Sequence, residues 1–299
     1  MTQRTPASLM RWKDQAAGYA FLAPSLIVFG IFVFYPLLQS VYLSLHMTDP
    51  QGRIAKYVGL QNYMDMFASP QFYQGLKITG LFIVYTVPVT ILWALLLAAM
   101  THGNKRGMKL FRFVFSLPVA ISVGTSAVIW LLLFHPSAGM LNYFLSLAGV
   151  KPIFWLSDPH WALLSISIMT VWMSVGFVYI VLLGGLNGIS QDIWDSLSLD
   201  GANPMQAYSK VVLPLLSPSL FFVSIVSVIG SFQAFGQIHI LTKGGPMNQT
   251  NVIVYQIYQE AFINYRFGTG SAQALVLFAI ILILTAVQFR VVEKKVHYQ

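Results

Sequence analysis

Six long runs without a charged side chain constrain the fold of this sequence more than any other feature. A helix that crosses a bilayer needs about 20 predominantly apolar residues, and every run is at least that long. The predicted spans are approximately residues 18–45, 78–100, 113–134, 161–186, 211–238 and 267–289. The alternative is a set of core helices in a large soluble protein, which rarely reach this length so many times. We therefore predict an all-α, polytopic membrane protein with six transmembrane helices and one domain over residues 1–299.

Lysine and arginine are distributed unequally between the connections, and this predicts the orientation. With six spans, both termini share a side with the second-to-third and fourth-to-fifth connections. The basic residues on that side are Arg4, Arg11, Lys13, Lys105, Arg106, Lys109, Arg112, Lys210, Arg290, Lys294 and Lys295. The other side has Arg53, Lys56, Lys77, Lys151, Lys243 and Arg266. Both termini are therefore predicted to be cytoplasmic.

The basic residues also indicate the kind of partner that the chain contacts. The net charge is +8, but the positive residues flank several spans instead of forming one patch. This distribution is typical of contact with anionic membrane lipid and gives no support for a nucleic-acid partner.

Residues 189–218 form the longest polar interruption that still keeps a helical pattern. Apolar side chains recur on one face, and polar ones occupy the other, so a short amphipathic helix is predicted. The apolar face has Ile193, Trp194 and Leu197, and the polar face has Asp192, Asp195 and Ser196.

A corner and a second helix are predicted to follow within the same segment. Gly201 stands where a helix commonly ends in the left-handed conformation. Asn203-Pro204 then supplies an N-cap and a proline at the first position of the next helix. Leu213-Pro214 and Ser217-Pro218 interrupt the helix that enters the fifth span. The segment is therefore a rigid unit of helix, corner and helix that can be pushed as a lever.

Two short helices are predicted in the connections on the external side. One starts at Gly59–Tyr63, where apolar residues again recur on one face. The other, Val252–Phe262, is predicted to lie at the membrane interface.

Several kinds of chemistry are absent from the sequence. Residues 103–109 read GNKRGMK, which lacks the spacing of a phosphate-binding loop. The six histidines are scattered without metal-ligand spacing. The six runs contain no Asp, Glu, Lys or Arg, although proton- or sodium-coupled carriers usually need a buried carboxylate. The chain is therefore not expected to be an enzyme or to hold a cofactor or metal, and its energy must come from another polypeptide.

The polar segment resembles a known motif. Asp195-Ser196-Leu197, followed by Asp200-Gly201-Ala202 and then by Tyr208 and Leu213-Pro214, is similar to the cytoplasmic EAA loop in permeases of binding-protein-dependent ABC importers. The first three residues are Asp-Ser-Leu where the motif has Glu-Ala-Ala, so the acid is kept but is shorter. The resemblance implies a type I ABC importer permease with a cytoplasmic coupling helix.

Other short matches occur along almost the whole chain and resemble the carbohydrate-uptake, maltose-type branch of that family. They are Leu22-Ala23-Pro24, Tyr35-Pro36, Val58-Gly59-Leu60, Asn62-Tyr63, Leu117-Pro118, Leu241-Thr242 and Gly244-Gly245-Pro246. The tail from Val287 to Gln299 is similar to the end of glycerol-3-phosphate permeases.

The resemblance implies a set of partners in the bacterial cytoplasmic (inner) membrane. They are a second similar permease, two ATPase subunits that bind ATP and magnesium, and an external solute-binding protein that is periplasmic or lipid-anchored. The coupling helix would occupy a cleft of the ATPase, so that nucleotide turnover moves the spans between inward- and outward-facing states. The residues assigned to this contact are Ile193, Trp194, Asp195, Leu197, Asp200, Gly201, Ala202, Leu213 and Pro214.

The same resemblance places a substrate path on the fourth and fifth spans. Its residues would be Thr170, Ser174, Phe177, Ser227 and Ser231, with Gln233 and Gln237 as additional polar groups near His239. Ala234 stands at a position where the maltose-type permease has a hydrogen-bonding side chain, so the same oligosaccharide cannot be held in the same way. Small hydroxyls four residues apart share a helix face, and they suit either a polyol or close helix packing.

Four functional hypotheses follow. The first is a permease subunit for glycerol-3-phosphate or a related glycerophosphodiester, and the second is the same subunit for a neutral sugar or oligosaccharide. Phosphate recognition normally recruits Arg or Lys, and the spans contain neither, so the cation would come from the partner permease or the binding protein would select the solute. A stand-alone secondary carrier and a non-transporting scaffold are the alternatives of other classes.

Overall fold

The computed structural model of the protein describes residues 7–103 and 106–292, and these are mostly helical. Four of the basic residues that predict the orientation lie outside the described residues, namely Arg4, Lys105, Lys294 and Lys295. The end of the tail that resembles glycerol-3-phosphate permeases also lies outside them. The helices are α1 (Ala7–Phe29), α2 (Tyr35–Ser44), α3 (Gln61–Ala68), α4 (Pro70–Thr101), α5 (Met108–Ser116), α6 (Val123–Leu133), α7 (Met140–Leu147), α8 (Ala162–Asn187), α9 (Gln191–Leu199), α10 (Pro204–Ala207), α11 (Leu213–Leu215), α12 (Ser217–Phe232), α13 (Gly236–Leu241), α14 (Ile253–Tyr258) and α15 (Phe267–Val292).

Short turns of other helix types link several of these helices. Gly30–Phe34, Tyr208–Val212 and Gln259–Ile263 are π-helical, and Leu117–Ala120 is a 3₁₀ turn. Five segments of the described chain are long and apolar enough to cross a membrane, and a bent helix pair gives a sixth. The five are Gly18–Ser44, Pro70–Thr101, Ala162–Asn187, Ser217–Leu241 and Phe267–Arg290. The prediction of a polytopic helical protein is therefore confirmed.

The chain divides into two compact units, of which the first contains residues 1–66 and 260–275. Within it, β1 (His46–Thr48) and β2 (Ile54–Tyr57) form an antiparallel hairpin in which His46 pairs with Tyr57. The Asp49 carboxylate accepts hydrogen bonds from the backbone N–H groups of Gln51 and Arg53 and so closes the turn. This hairpin was not predicted. The predicted helix near Gly59 is confirmed as α3, whose Asn62 donates to the Ser44 carbonyl at 2.8 Å.

The second unit contains residues 67–259 and 276–299. Its helices α4 and α8 pack along each other over two apolar clusters. One cluster surrounds Phe82 and Ile166, and the other surrounds Ala98, Tyr179 and Leu182. Glycine permits the closest approaches of α8 to its neighbours, because a Cβ at Gly185 would stand 2.5 Å from Ser219 Oγ and 2.6 Å from Leu216 Cδ1.

The third predicted span, residues 113–134, is not one straight helix. α5 with its 3₁₀ turn and α6 meet at an angle of 104°. Pro118 lies in the turn and has no N–H to continue a helix. Ser122 then caps a new helix, since its hydroxyl accepts from the Thr125 N–H at 3.2 Å. The sequence prediction treated Pro118 as tolerable near the start of a helix and therefore missed this break.

Two other predicted spans differ from the observed helices at their ends. The second span begins at Pro70, just after Ser69, and is longer than the predicted range of 78–100. The fifth span is interrupted at Leu216 by the two Leu-Pro and Ser-Pro pairs, as predicted, and again between Phe232 and Gly236. The boundaries of the fourth and sixth spans lie close to the predicted ones.

The predicted helix Val252–Phe262 is found as α14 with the π-helical turn Gln259–Ile263. Its first part, α14, is packed inside the second unit, where Ile253 is fully buried and Tyr255 is 4% exposed. The Ile253 N–H donates to Thr79 Oγ1 at 3.0 Å, and the Gln256 amide donates to the Gln71 carbonyl at 2.9 Å. These contacts with α4 satisfy polar groups that a membrane interface would leave to water.

Candidate functional site

A cavity of about 350 Å³ lies within the second unit, between helices α4, α8 and α12. All seven residues that the sequence assigns to a substrate path line it, together with Ala234. They are Thr170, Ser174 and Phe177 from α8, and Ser227, Ser231, Gln233 and Gln237 from the fifth span. The family resemblance selects these residues, and the four-residue spacing of Thr170 and Ser174 and of Ser227 and Ser231 puts each pair on one helix face.

Some of the polar groups around the cavity are already hydrogen-bonded within the protein. Thr170 Oγ1 donates to the Ile166 carbonyl at 2.8 Å and accepts from the Gln237 amide nitrogen at 3.4 Å. Ser231 Oγ donates to the Ser227 carbonyl at 2.9 Å. These bonds hold the polar side chains of the cavity wall in place. Breaking them would leave buried polar groups without a partner, which is costly.

The second span contributes two hydroxyls that the sequence analysis did not assign. Thr86 and Thr90 of α4 line the cavity, and each is only 2% exposed. Thr86 Oγ1 lies 3.2 Å from Ser231 Oγ and so links α4 to the fifth span. The available signal was their four-residue spacing, which is the same as that of Thr170 and Ser174 and of Ser227 and Ser231.

Three lining hydroxyls remain available for a ligand. The side-chain hydroxyls of Thr90, Ser174 and Ser227 make no hydrogen bond to another residue in the described part of the chain. A hydroxyl both donates and accepts, so these groups suit a solute that carries several hydroxyls or phosphate oxygens.

The described residues that line the cavity include no Asp, Glu, Lys or Arg. Ala234, which offers no side-chain hydrogen bond, lines it and is 4% exposed. His239, expected to lie near the path, instead stacks on Phe235 at 5.2 Å between ring centroids and lies beside Tyr255 and Tyr258. The cavity therefore offers hydrogen bonds without charge.

The predicted lever of helix, corner and helix is confirmed as a local structure. Gly201 has a φ of +64° and ends α9 in a Schellman motif. In this motif the Gly201 N–H bonds the Ser198 carbonyl at 3.3 Å, and the Ala202 N–H bonds the Leu197 carbonyl at 3.2 Å. Asn203 and Gln206 then form a reciprocal capping box at the start of α10.

α9 presents two faces with different surroundings. Ile193 and Trp194 pack against the apolar cluster around Tyr179 and Leu182. Asp192, Asp195 and Asp200 are exposed and form no ion pair with another described residue. Leu199 is 89% exposed, and Met205 across the corner is 77% exposed. The exposed face is thus acidic, with two apolar side chains beside Gly201.

The other residues assigned to coupling occupy intermediate positions. Leu197 is half-buried and, with Asp192, Ser196 and Asp200, borders a shallow depression of about 310 Å³. Ala202, Leu213 and Pro214 are also half-buried, and Pro214 lies at the start of α11. Their positions fit the geometry of the corner and of the entry into the fifth span.

A group of residues at the end of α4 contacts this segment. The Arg112 guanidinium of α5 donates to the Thr101 carbonyl at 2.8 and 3.1 Å and to the Gly103 carbonyl at 2.5 Å. It thereby caps the carbonyl end of α4, where a cation also favours the helix dipole. The next residue, His102, stacks on Trp194 of α9, with 4.8 Å between ring centroids.

Burial changes the acid–base behaviour of two groups in this region. Burial lowers the pKa of His102, with Asn187 opposing the shift and Arg112 adding to it. Burial raises the pKa of Tyr208, which lies 6.2 Å from the Trp194 ring between centroids. Both groups are therefore neutral near pH 7.

Comparison with known proteins agrees with this architecture. Residues 81–298 match the family described as binding-protein-dependent transport system inner membrane component. A relative from Agrobacterium fabrum, the sn-glycerol-3-phosphate transport system permease protein UgpA, is 34% identical over 94% of this chain and 96% of its own length. The protein of the same name from Pectobacterium atrosepticum is 30% identical over the full length of both chains.

Two solved structures share the fold. A bacterial ABC transporter involved in the import of the acidic polysaccharide alginate has a chain that superposes with a TM-score of 0.80 and 24% identity, over 95% of this chain and 99% of that one. A bacterial alginate ABC transporter in complex with an alginate pentasaccharide-bound periplasmic protein gives a TM-score of 0.79 at 24% identity, over 93% of this chain and 94% of that one.

The fold and the cavity define a multi-pass membrane subunit of a transport system. The chain belongs to the family of binding-protein-dependent transport system inner membrane components, the permeases of ABC importers.

Proposed function

We propose that this chain is the permease subunit that passes sn-glycerol-3-phosphate, or a related glycerophosphodiester, across the cytoplasmic membrane. The observation that carries the proposal is the convergence of seven path residues from two spans on one cavity. Its volume of about 350 Å³ lies at the small end of the usual range for ligand pockets, roughly 300–1,000 Å³. The relatives that share the whole chain carry the name of this substrate.

The hydroxyls of the cavity suit transient binding of such a solute. A transport pathway must release its ligand, so several weak hydrogen bonds serve better than one strong ion pair. Thr90, Ser174 and Ser227 can bond the glycerol hydroxyls or phosphate oxygens in passing. We propose that the positive charge that normally recognises phosphate comes from the partner permease or acts in the binding protein.

A neutral sugar is the second candidate, and the uncharged lining of the cavity favours it. Hydroxyl and amide side chains recognise a sugar without any cation. The proposal for phosphate therefore depends on a partner residue, whereas the proposal for sugar does not.

The partners that we propose are a second permease of the same family, two ATPase subunits and an external solute-binding protein. ATP and magnesium are held by the ATPase subunits, and this chain contributes no catalytic group. The exposed face of α9 docks on an ATPase through Asp195, Asp200 and Leu199, with Met205 beyond the corner. Ile193 and Trp194 anchor α9 to this chain and act on the ATPase only through that anchoring. In this arrangement both termini and the α9–α10 corner are cytoplasmic.

The decisive experiment is ATP hydrolysis by the reconstituted complex with its binding protein. Glycerol-3-phosphate is expected to stimulate hydrolysis several-fold, whereas maltose-like sugars leave it at the basal rate. Stimulation by sugar alone would replace the first candidate with the second. Solute uptake by this chain alone under an ion gradient, without ATPase subunits, would instead establish a secondary carrier.

A further inference from the structure

The second span joins the cavity to the cytoplasmic corner although it is distant from that corner in sequence. α4 lines the cavity through Thr86 and Thr90 and ends at Thr101. The 11 steps along the chain from Thr90 to Thr101 correspond to about 16 Å of helix at 1.5 Å per residue. A movement at either end of this stretch is therefore transmitted to the other by a continuous helix.

The cytoplasmic end of α4 is held on two sides. Thr101 Oγ1 lies 2.8 Å from the Tyr179 hydroxyl of α8, and Arg112 of α5 binds the Thr101 carbonyl. Both Thr101 and Tyr179 are buried, at 3% and 1% exposed. These bonds make the end of α4 a defined point from which the next residue, His102, extends.

His102 is the residue through which this end contacts α9. Its imidazole is stacked on the Trp194 indole at an interplanar angle of 30°. His102 Nδ1 and Trp194 Nε1 are both buried without a hydrogen-bond partner among the described residues. Ring contact, and no hydrogen bond between the rings, therefore holds the pair together.

An unpaired buried nitrogen in each ring requires an explanation, because buried polar atoms are normally satisfied. A contact held by ring faces alone can slide without breaking a directional bond. This property suits a joint that must follow a moving helix.

We propose that α4 is a third arm of the coupling mechanism, and that His102 is the positioning residue that fastens it to α9 through Trp194. Two spans reach α9 directly through the chain, α8 before it and the fifth span after the corner. α4, which is distant in sequence, reaches it through the His102–Trp194 pair, beside the apolar cluster that Ala98 shares with Ile193 and Trp194. Thr86 and Thr90 of the cavity lie on the same helix. The inference rests on the proposed docking of α9 on an ATPase.

The test uses the complete importer with its ATPase subunits and binding protein in proteoliposomes. Solute-stimulated ATP hydrolysis and solute uptake are measured together. His102→Ala removes the ring, and we expect uptake to fall at least fivefold while hydrolysis stays within twofold of the unaltered complex. His102→Phe keeps an aromatic face but loses both ring nitrogens, including the hydrogen bond with Asn187, and it is expected to restore uptake to within twofold.

Two results would overturn the proposal. Equal uptake in the His102→Ala complex would show that α4 needs no joint to α9, and a parallel loss of hydrolysis and uptake would show a merely structural role.

A control tests the proposed docking of α9 on the ATPase separately. Leu199→Asp places a charge on an exposed docking side chain and is expected to abolish both activities. If Leu199→Asp changes neither, the proposed docking fails, whatever the His102 variants do.

A second measurement keeps the proposal testable if His102→Ala does not assemble. Trp194→Ala and Trp194→Phe repeat the comparison from the other side of the contact, because the second variant keeps a ring opposite His102. Trp194→Ala is expected to lower uptake at least fivefold with hydrolysis within twofold of the unaltered complex, and Trp194→Phe is expected to restore uptake to within twofold. Equal uptake in the two Trp194 variants would contradict a joint made by ring contact.

Discussion

The polar side chains of the cavity and of the α9–α10 corner differ in charge and in exposure. In the cavity, the polar lining side chains are hydroxyls and amides, of which all but Gln233 are buried or half-buried, and none of the described lining residues is charged. At the corner, Asp192, Asp195 and Asp200 are exposed without an ionic partner. Charge inside the membrane is expensive, whereas exposed carboxylates cost little and can attract a basic partner.

The difference suggests a division of labour. Under the function proposed above, weak, uncharged contacts let a solute enter and leave the cavity, and charged contacts at the corner orient a large protein partner. Changes in the cavity should therefore alter transport of the solute without affecting assembly, whereas changes at the corner should disrupt assembly with the ATPase subunits and, as a consequence, transport as well.

The largest effect is expected from Gly201→Val. The φ of +64° at this position is strongly unfavourable for a β-branched residue, and the left-handed conformation costs about 1–2 kcal/mol even for ordinary residues. The Schellman motif would open and the docking face would be lost, so ATP-driven uptake should fall at least about tenfold. Co-purification with the ATPase subunits and uptake in proteoliposomes measure this.

Gly184→Ala is the control for that change. Gly184 lies within α8, has no left-handed φ, and a Cβ there would meet nothing within 4 Å. Full uptake is expected. A similar loss in both variants would mean that any glycine replacement damages the protein, and the corner would lose its special role.

A smaller effect is expected from removing the free hydroxyls of the cavity. Thr90→Val and Ser227→Ala each delete a group available to the solute, and one hydrogen bond contributes about 0.5–1.5 kcal/mol. Uptake at low solute concentration should fall roughly two- to tenfold, with unchanged ATPase assembly.

Ser224→Ala provides the comparison within the same helix. Ser224 Oγ donates to the Phe221 carbonyl and does not line the cavity. Its replacement should leave uptake unchanged. Equal losses for Ser224→Ala and Ser227→Ala would favour helix packing over solute contact as the role of these serines.

A third change tests whether the cavity wall depends on its internal hydrogen bond. Thr170→Val leaves the buried Gln237 amide without its partner, which should lower the unfolding free energy by about 1 kcal/mol and the melting temperature by a few degrees. Thr170→Val combined with Gln237→Leu removes both partners and should recover most of the loss. Thermal unfolding in detergent measures the cycle, and additive losses would show that the two residues are independent.

The sequence predicts different aspects of the structure in the cavity and at the α9–α10 corner. Thr170, Ser174, Ser227 and Ser231 could be placed together because helical spacing and a family resemblance fix which face of a long span they occupy. Thr86 and Thr90 were missed because nothing in the sequence tells which face of α4 packs towards α8.

At the corner, the local structure was predictable but its orientation was not. Gly201 and the Asn203-Pro204 pair specify a turn and a cap through local conformational preferences. The packing of Ile193 and Trp194 against their own chain depends on tertiary contacts of Tyr179 and Tyr208. The break at Pro118 depends likewise on the cap that Ser122 provides, and a hydropathy pattern does not record it.

The smallest expected effect concerns pH and the His102–Trp194 contact. Burial holds the pKa of His102 below its ordinary value of 6.5. As pH falls below about 6.5, the unfolded chain takes up a proton at this position before the folded protein does, so folding stability decreases through that window. Arg112 and Tyr208 are titratable groups near the contact, and burial raises the pKa of Tyr208 further from this window. The melting temperature should therefore fall slightly more between about pH 7.5 and pH 5.5 in the unaltered protein than in His102→Phe. The uncharged cavity should contribute nothing to the difference in pH dependence between the two proteins. An identical pH dependence in the two proteins would contradict the assignment of a neutral, buried imidazole to the His102–Trp194 contact.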